Sequence, residues 1–347
     1  WVTRWGSKEM TRNRFSVENV FRHNSTANIF IDLVRDFKEK QMDQPDCPGM
    51  LTAEEDLDTL YSYLETLARQ TCAVLRGGAK LLRLGGCEHN SIFVVGDLQG
   101  GLRDLLHIES MLFRSAPVTG NSVLFLGNYT GPAYSYGFEV LLYLFALKVA
   151  MPNNFHLLRG KNEMRTFNGV HLKGELVNKF GDDMGEKILD LFNLVFDCMP
   201  VAAVLNESVL CTHSGIPNLV GGGGKRRPLI AAFQAEVANK TDFADPRKEM
   251  PIGYEMMVNI PVRYAHSNEE KTAAKARGFE ASVNGLYHYY SSKAFEDFMA
   301  ANGLQFHLRS HNPVEEGYAL CFSNRSLTVH SCRRFNATTL PYIAVLQ

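Results

Sequence analysis

The sequence has no apolar run long enough to span a bilayer, since its most apolar segment, residues 138–151, is only as long as one core helix. It also has almost no net charge. The formal value of −1 argues against a protein that binds nucleic acid through overall charge. No internal repeat or low-complexity tract is present. What remains is a globular chain of 347 residues, 45% hydrophobic, that can bury a sizeable core in one large or two ordinary domains.

The seven cysteines form no C-x-x-C pair, which argues against both a disulfide framework and a zinc ribbon. Their number is odd and their positions are scattered: Cys47, Cys72, Cys87, Cys198, Cys211, Cys321 and Cys332. We therefore predict reduced thiols that mostly fill the core of an intracellular protein, either cytoplasmic or organellar. The chain begins at Trp1 rather than Met, so the sequence does not allow a targeting peptide to be judged.

The N-terminal segment, residues 1–22, is basic. It carries Arg4, Lys8, Arg12, Arg14 and Arg22 against Glu9 and Glu18. One interpretation is a solvated arm, and the other is an arm that docks on an acidic protein or on RNA. We predict a basic arm over residues 1–22 and a single domain over residues 23–347.

The pattern of apolar residues predicts helices over residues 26–44 and 54–76, and near residues 102–113, 136–150 and 185–196. Between residues 91 and 200 these helices alternate with short apolar strands. Residues 240–280 are polar and predict irregular structure, whereas residues 305–346 alternate apolar and polar residues in short strands. This order predicts a two-sheet α/β sandwich with loops gathered at one edge.

Three segments share one layout, an apolar run of strand length followed by a glycine turn with polar residues at its tip. They read Ile92-Phe-Val-Val-Gly-Asp97-Leu-Gln99-Gly-Gly, Val123-Leu-Phe-Leu-Gly-Asn128-Tyr-Thr-Gly131-Pro132 and Phe155-His-Leu-Leu-Arg159-Gly160-Lys161-Asn162-Glu163. This layout resembles the serine/threonine phosphoprotein phosphatases of type 1 and type 2A. Their tips read G-D-x-H-G, G-D-x-V-D-R-G and R-G-N-H-E, and they hold two metal ions.

Further segments similar to that family follow in its order, so the resemblance covers most of the chain. They are the segment from Val195 through His213 to Gly215, Phe243-Ala-Asp245-Pro246, Arg277-Gly278-Phe279, and Leu308-Arg-Ser-His311 with Glu316-Gly-Tyr318. The resemblance implies an α/β fold of the calcineurin-like metallophosphoesterase type, a two-sheet β-sandwich flanked by helices.

The resemblance also assigns the site residues, and it divides them into two groups. Three residues keep the family's metal-ligand positions: Asp97, His213 and His311. Six positions depart from the family: Gln99 replaces a ligand histidine, Asn128 the bridging aspartate, Lys161 a ligand asparagine, Asn162 the histidine that protonates the leaving oxygen, Gly131 the aspartate that orients it, and Pro132 a phosphate-binding arginine. Arg277 matches a second phosphate-binding arginine, and two interpretations stay open: a weak phosphate- or anion-binding site, or a surface arginine beside a glycine turn.

The chemistry of the replacements predicts a site that no longer works. Asn128 removes the negative charge that offsets two close cations, and Lys161 adds an ammonium that offers no acceptor. An amide at Asn162 has no proton to give near neutral pH. For Lys161 two alternatives stay open: its ammonium neutralises Asp97 in place of a metal, or it points to solvent. We predict no cofactor, or at most one weakly bound divalent metal (Mn, Fe or Zn).

Three functions are compatible with these residues. The first is a pseudophosphatase, a catalytically inactive scaffold or structural subunit of a larger assembly. The second is a residual phosphoesterase with one metal held by Asp97, His213, His311 and Asn128. The third is a metal-free anion- or nucleotide-binding module that uses Arg277 and Lys161.

We also expect protein partners at the edge of the sheet that carries the C-terminal strands. The related phosphatases take extended peptides along such an edge, a form of strand addition. The sequence ends at Gln347, about where the family adds one more strand, so we expect another polypeptide to complete that edge.

Overall fold

The computed structural model describes residues 25–40, 57–85, 90–113, 120–133, 135–219, 228–333 and 343–346. The predicted basic arm, residues 1–22, and two of the cysteines, Cys47 and Cys87, lie outside these ranges.

Helices and strands alternate through the first part of the described chain. The helices are α1 (Thr26–Lys40), α2 (Leu57–Arg76), α3 (Leu102–Ile108), α4 (Gly137–Ala150), α5 (Arg165–Phe180), α6 (Asp182–Cys198), α7 (Leu229–Val237), α8 (Pro246–Glu249), α9 (Pro251–Val258), α10 (Asn268–Arg277) and α11 (Ser292–Ala301). The strands are β1 (Leu81–Leu84), β2 (Ile92–Val95), β3 (Ser122–Phe125), β4 (Phe155–Leu157), β5 (Ala202–Leu205), β6 (Val209–Thr212), β7 (Ile260–Pro261), β8 (Phe279–Ala281), β9 (His288–Tyr290), β10 (Phe306–Arg309), β11 (Tyr318–Cys321), β12 (Ser326–Val329) and β13 (Ile343–Leu346).

Two larger sheets pack face to face. One has the strand order β13-β2-β3-β4 and the other β1-β5-β6-β10-β12-β11. A shared apolar cluster joins Ile92 and Leu124 of the first sheet to Ala203, Cys211 and Leu308 of the second. The prediction of a two-sheet α/β sandwich is therefore confirmed. A small third sheet, β7-β9-β8, was not predicted.

Helices cover the outer faces of both sheets. Phe93 and Val95 of β2 pack among the helices of the first half of the chain, whereas Leu210 of β6 packs under α7, α9 and α11. Because β2 is buried on both faces, its sequence is a continuous apolar run. Helix α4 is buried all round, which accounts for its apolar sequence. In the described ranges, no helix combines the length and the hydropathy that a membrane crossing requires.

The predicted helices over residues 26–44, 54–76 and 136–150 are confirmed as α1, α2 and α4, except that residues 41–44 and 54–56 lie outside the described ranges, and the short strands after residue 305 are confirmed as well. The prediction of irregular structure over residues 240–280 is wrong, because α8, α9 and α10 lie there. These helices are short and carry local start signals rather than an apolar period. Pro246 and Pro251 stand at first helical positions, and Ser267 with Glu270 forms a capping box.

The direction of the strands gathers the polar loops. Strands β2, β3 and β4 run parallel to one another, and so do β6, β10 and β12. The carboxyl ends of parallel strands meet at one edge of a sheet, where α/β proteins place their ligand sites. The loops after β2, β3, β4, β6 and β10 carry the residues assigned to the site.

Candidate functional site

The loop tips after β2, β3, β6 and β10 meet at the carboxylate of Asp97, which follows β2 and is fully buried. Its Oδ1 accepts hydrogen bonds from Ser310 Oγ at 2.6 Å and from the backbone N–H of His311 at 3.0 Å. Its Oδ2 accepts from Asn128 Nδ2 at 2.9 Å and from Gln99 Nε2 at 3.3 Å. A carboxylate offers about four lone-pair sites, so these donors engage both oxygens of Asp97, although the single hydroxyl hydrogen of Ser310 is shared with the Val329 carbonyl at 2.7 Å. Burial raises the pKa of Asp97, but the nearby histidines and the Ser310 hydroxyl lower it further, to about 2.

Asn128, at the tip after β3, acts as a bridge between two loops. Its Nδ2 donates to Asp97, and its Oδ1 accepts from the backbone N–H of Asn162 at 2.9 Å. The two bonds together fix which way the amide points. An aspartate in the same place would bring two carboxylates within hydrogen-bond distance, and only a cation or a shared proton between them would relieve the repulsion. The N–H donor of Asn128 therefore stabilises the Asp97 carboxylate, which the positive charge of a metal ion would otherwise do.

His213 and His311 form a neutral pair beside Asp97. His213 Nδ1 lies 2.9 Å from the Leu126 carbonyl, which only accepts, so this nitrogen carries the hydrogen. His213 Nε2 then accepts from His311 Nδ1 at 3.1 Å. Burial lowers the pKa of His213 to about 4 against the opposing charge of Asp97, and it lowers the pKa of His311 as well. The lone pair on His213 Nε2 therefore already accepts a hydrogen bond from His311.

Three of these residues have left-handed backbone conformations: φ is 46° at Gln99, 54° at Asn128 and 67° at His311. Asparagine and histidine tolerate this region better than glutamine does. Each such residue costs on the order of 1 kcal/mol and persists only when the surroundings fix it. The site loops are therefore held by other groups.

Those other groups form a support network of Arg159, Glu163 and Asp197. The Glu163 carboxylate accepts the backbone N–H groups of Asn128 and Gly160, each at 2.8 Å, and of Tyr129 at 2.9 Å. Burial raises the pKa of Glu163 to about 7, although the three N–H donors lower it.

Arg159, fully buried, connects the same tip to the helices. Its Nη2 pairs with Asp197 Oδ1 at 3.1 Å, and its Nη1 donates to the Phe243 carbonyl at 2.6 Å. The support network therefore links the tips after β3 and β4 to the end of α6.

Lys161 adopts neither of the two predicted positions. It is half-buried, and its Nζ lies 4.9 Å from the centroid of the Phe167 ring rather than on Asp97. Such an arrangement is a cation–π contact. Burial lowers the pKa of Lys161, and its charge lowers the pKa of both His213 and His311.

The other replaced residues lie around the same tips. Asn162 Nδ2 donates to the Thr130 carbonyl at 2.6 Å. A Cβ added at Gly131 would lie 3.1 Å from Gln99 Cβ and Cγ and 3.3 Å from Asn162 Nδ2, so no larger side chain enters without a shift. Pro132, next along the chain, is exposed.

Arg277 stands apart from this cluster in its contacts. It ends α10, its side chain is 71% exposed, and its Nη1 pairs with Glu280 Oε2 at 3.0 Å. Among the described contacts, those of Arg277 run to Glu280 and not to Asp97 or the histidines.

Ser310 is a site residue that the sequence analysis missed. Besides its bond to Asp97 Oδ1, its Oγ accepts the backbone N–H of Asp97 at 2.8 Å. Its signal was present, because the family reads R-A-H-Q where this chain reads Arg309-Ser310-His311-Asn312.

The donor set at the tips does not fit a dinuclear metal centre. Two close cations need several anionic oxygens, yet the ligand positions offer one carboxylate, Asp97, and an ammonium, Lys161. The Asp97 oxygens are filled by hydrogen bonds, and the Glu163 oxygens face backbone N–H groups. Throughout the described part of the chain, no group of three or more His, Cys, Asp or Glu side chains has a geometry that could hold a metal ion.

Comparison with known proteins identifies the family. The model of the calcineurin-like phosphoesterases matches residues 91–315, more than half of the chain. The chain is 28% identical over 311 residues to serine/threonine-protein phosphatase 5 of Solanum lycopersicum, a match that covers 89% of this chain and 49% of that relative. It is 28% identical over 246 residues to the serine/threonine-protein phosphatase 6 catalytic subunit of Caenorhabditis elegans, covering 70% of this chain and 65% of the relative.

A solved structure supports the same fold. It is a protein serine/threonine phosphatase from Saccharomyces cerevisiae with similarity to human phosphatase PP5. It matches with a TM-score of 0.64 at 22% identity, covering 78% of this chain and 77% of that one. The chain belongs to the calcineurin-like phosphoesterase family, and the predicted resemblance to serine/threonine phosphatases is confirmed. The chain spans about half the length of the Solanum lycopersicum relative.

Proposed function

We propose that this protein is a pseudophosphatase, a phosphatase-fold chain without catalytic activity that serves as a scaffold or structural subunit of a larger assembly. The observation that carries the proposal is the hydrogen bond from Asn128 Nδ2 to Asp97 Oδ2 at 2.9 Å. A donor at this point supports a polar cluster that is satisfied without metal, because the neighbouring carboxylate already has its partners.

The chemistry of proton transfer supports the same conclusion. Asn162 stands where the family carries its general acid, and its side chain donates to the Thr130 carbonyl. A neutral amide cannot protonate a leaving oxygen near pH 7, and general acid catalysis is worth roughly a hundred- to ten-thousand-fold in rate.

The test is elemental analysis of the purified full chain, combined with turnover of an aryl phosphate in added manganese. We expect less than one equivalent of metal per chain and no turnover above that of a blank. Two tightly bound Mn, Fe or Zn ions per chain would refute the proposal. A variant with all six replaced positions restored to the family's residues is the matched positive control.

A residual phosphoesterase with one metal is the second candidate. It is favoured by the proximity of His213 Nδ1 to Asp97 Oδ1, at 3.8 Å, which places two ligand types side by side. One metal per chain in the elemental analysis, with slow turnover that is lost in His213→Ala, would favour this function over the pseudophosphatase.

A metal-free anion- or nucleotide-binding module is the third candidate. The charge of Lys161, which lowers the pKa of His213 and of His311, favours it, whereas the exposed ion pair of Arg277 with Glu280 does not. A thermal shift with inorganic phosphate or nucleotides, abolished in Lys161→Met and kept in Arg277→Met, would support this function.

For the scaffold role we propose that a partner polypeptide adds a strand to the edge of the six-stranded sheet. Strand β11 is an edge strand, and Tyr318 and Leu320 on it are each 43% exposed. Alternate apolar side chains on an edge strand are suited to strand addition, and an incoming strand would have to displace Arg263, whose Nη1 donates to the Leu320 carbonyl at 3.0 Å. Tyr318→Lys with Leu320→Lys should abolish co-purification of the partner, whereas Val283→Lys, at a residue 95% exposed elsewhere, should not.

The basic arm, residues 1–22, is proposed as a second contact, to an acidic protein or to RNA. Deleting it should weaken assembly more at low than at high salt, because exposed charge pairs are screened. A soluble, monodisperse monomer that co-purifies with nothing and is unaffected by the deletion would count against the scaffold role.

A further inference from the structure

A buried positive charge lies behind the loop that follows β6. Arg309, the last residue of β10, is fully buried. In the described ranges its hydrogen bonds run only to neutral acceptors: the carbonyl and hydroxyl of Ser214, Thr328 Oγ1 at 3.1 Å and Asn312 Oδ1. A buried guanidinium normally has a carboxylate or another anion as its partner, because an unpaired charge is costly to remove from water.

The ring of Tyr264 lies close to Arg309 and to a second arginine. Its centroid is 5.8 Å from Cζ of Arg309 and 5.1 Å from Cζ of Arg263. Arg263 is exposed, and its Nη1 donates to the Leu320 carbonyl at 3.0 Å and to Cys321 Sγ at 3.1 Å. The acceptors that the structure describes for Arg263 thus include no carboxylate either. Two like charges beside one ring repel each other, and the negative face of the ring offsets only part of this repulsion.

Two buried tyrosine hydroxyls in the same region, those of Tyr264 and Tyr290, have no hydrogen-bond partner among the described residues. Tyr290 ends β9 and is fully buried. Its ring packs against the loop that Arg309 binds, since a Cβ added at Gly215, the residue after Ser214, would lie 2.7 Å from Tyr290 Cε1. Burial raises the pKa of Tyr290, and the charge of Arg309 opposes that rise. Because buried hydroxyls are nearly always hydrogen-bonded, these two indicate a partner other than the protein.

We propose that Arg309, Tyr264 and Tyr290 bind a small monovalent anion, of the size and charge of chloride. Arg309 supplies the positive charge, and each hydroxyl can turn its hydrogen towards the ion. A monovalent ion suits an enclosed site better than phosphate does, because removing a doubly charged ion from water costs far more. The site uses neither Lys161 nor Arg277, so it is independent of the proposed function.

The anion would join two sheets. Tyr264 closely follows β7 and Tyr290 ends β9, both in the three-stranded sheet, whereas Arg309 ends β10 of the six-stranded sheet. An ion bound to all three residues therefore holds the small sheet against the large one. Access requires little opening, because the exposed side chain of Arg263 lies at the Tyr264 ring and can move into solvent.

The experiment measures the melting temperature of the full chain as sodium chloride replaces sodium gluconate at constant ionic strength and pH. We expect a saturable rise of about 2 °C, because an ion that binds only the folded state stabilises it. Bromide should give the same rise, and crystals soaked in bromide should show an anomalous peak at hydrogen-bond distance from Arg309 and from the hydroxyl of Tyr264. No saturable rise, a rise with phosphate but not with chloride, or bromide found only at the surface would overturn the proposal.

Three phenylalanine variants, whose folding is checked by circular dichroism, make the test specific. Tyr264→Phe and Tyr290→Phe should each lose most of the rise in chloride. In gluconate they should melt no lower than the unchanged chain, because they remove hydroxyls that lack a partner there. Tyr254→Phe is the matched control: its hydroxyl donates to the Leu286 carbonyl at 2.7 Å, so this variant should melt lower in both salts and keep the rise. Equal losses in both salts for the first two variants, with the chloride rise intact, would mean that ordered water satisfies the hydroxyls and that the anion site is wrong.

A fourth variant supplies the negative charge from the chain itself. Asn312→Asp would place a carboxylate on the Arg309 guanidinium, so it should abolish the rise in chloride without loss of stability. A rise that persists in this variant would contradict the assignment of Arg309 to the site.

Discussion

Two polar networks lie side by side in this molecule, and they differ in how their charges are satisfied. In the support network, the carboxylates of Glu163 and Asp197 meet backbone N–H groups and the guanidinium of Arg159. In the ligand network around Asp97, neutral amide and hydroxyl donors surround the carboxylate. The difference teaches that holding the loop tips and holding metal ions are separate tasks: Arg159, Glu163 and Asp197 perform the first, whereas the second depends on the residues around Asp97.

The largest expected effect comes from restoring the ligand network on the unchanged support network. The variant combines six changes: Gln99→His, Asn128→Asp, Gly131→Asp, Pro132→Arg, Lys161→Asn and Asn162→His. We expect metal binding and aryl-phosphatase activity at least about a hundred-fold above background, since general acid catalysis alone contributes that much. The Cβ added by Gly131→Asp would lie 3.1 Å from Cβ and Cγ of Gln99, atoms that a histidine also has, so the loop at residue 99 must shift slightly to admit it. The six effects should be non-additive.

Omitting Asn128→Asp from this set provides the control, and we expect it to remove most of the bound metal. A folded, metal-loaded but inert six-site variant would contradict the comparison, because it would mean that the pocket walls differ as well as the tips.

The next effect isolates the contact between Asn128 and Asp97. Asn128→Asp alone, without metal, should lower the free energy of unfolding by about 3 kcal/mol at pH 8, because it leaves two buried carboxylates facing each other. The pair raises the folded pKa of one carboxyl, so this loss grows as the pH rises and shrinks near pH 5, where a shared proton can bridge the two groups. Urea denaturation at both pH values measures it.

Asn312→Asp is the matched control for that change. It adds the same charge beside the guanidinium of Arg309, which already donates to the Asn312 amide oxygen, so we expect no loss of stability. Equal losses in the two variants would mean that added negative charge, rather than the Asp97 contact, is responsible.

A smaller effect tests the support network. Glu163→Gln should cost about 2 kcal/mol, because an NH₂ group must replace one of the oxygens that accept the N–H groups of Asn128, Tyr129 and Gly160. Glu315→Gln, at an exposed residue, should be neutral. If the two variants have the same free energy of unfolding, groups other than Glu163 hold the loop tips.

The smallest expected effect concerns His307, which lies in the six-stranded sheet outside both networks. It shows how much a change away from the loop tips affects stability. His307 is buried between Thr212 and Ser326, and burial, aided by Arg309, lowers its pKa from 6.5 to about 3. Because the folded pKa lies below the unfolded one, the free energy of unfolding is highest above the unfolded pKa and falls as the pH drops below it. We expect the decrease between pH 7 and 6 to be under about 1 kcal/mol. His307→Gln should remove the contribution of His307 to this slope and leave that of the other buried histidines, His156, His213 and His311, whereas His107→Gln, at an exposed residue, should leave the slope unchanged.

Much of the fold was predictable because its signals are local. The apolar runs and glycine turns of β2, β3 and β4 stand in the sequence, and so does the apolar period of α2. Helix α5 escaped prediction because its buried residues, Asn168, Leu172, Leu176 and Phe180, form a narrow stripe spaced four apart that begins with a polar side chain.

The site divides in the same way. The resemblance placed Asp97, His213 and His311 at the tips, and the structure brings them together. It could not place the ammonium of Lys161, because that position depends on a ring of the following helix, Phe167. The departure at Ser310 could be read from the sequence, but its partner Asp97 could not, because the two residues belong to segments far apart in the chain that only the folded sheets bring together.

The bond from the Tyr129 backbone N–H to Glu163 Oε1, at 2.9 Å, has a consequence for the chemical lifetime of the protein. Asparagine deamidates to aspartate when the backbone nitrogen of the next residue attacks its side-chain carbonyl. At Asn128 that nitrogen belongs to Tyr129. Because Glu163 holds its N–H and both ends of the Asn128 amide are bonded, the attack is disfavoured. The Glu163 carboxylate, which holds the loop, thus also slows the deamidation of Asn128 to an aspartate that would face Asp97.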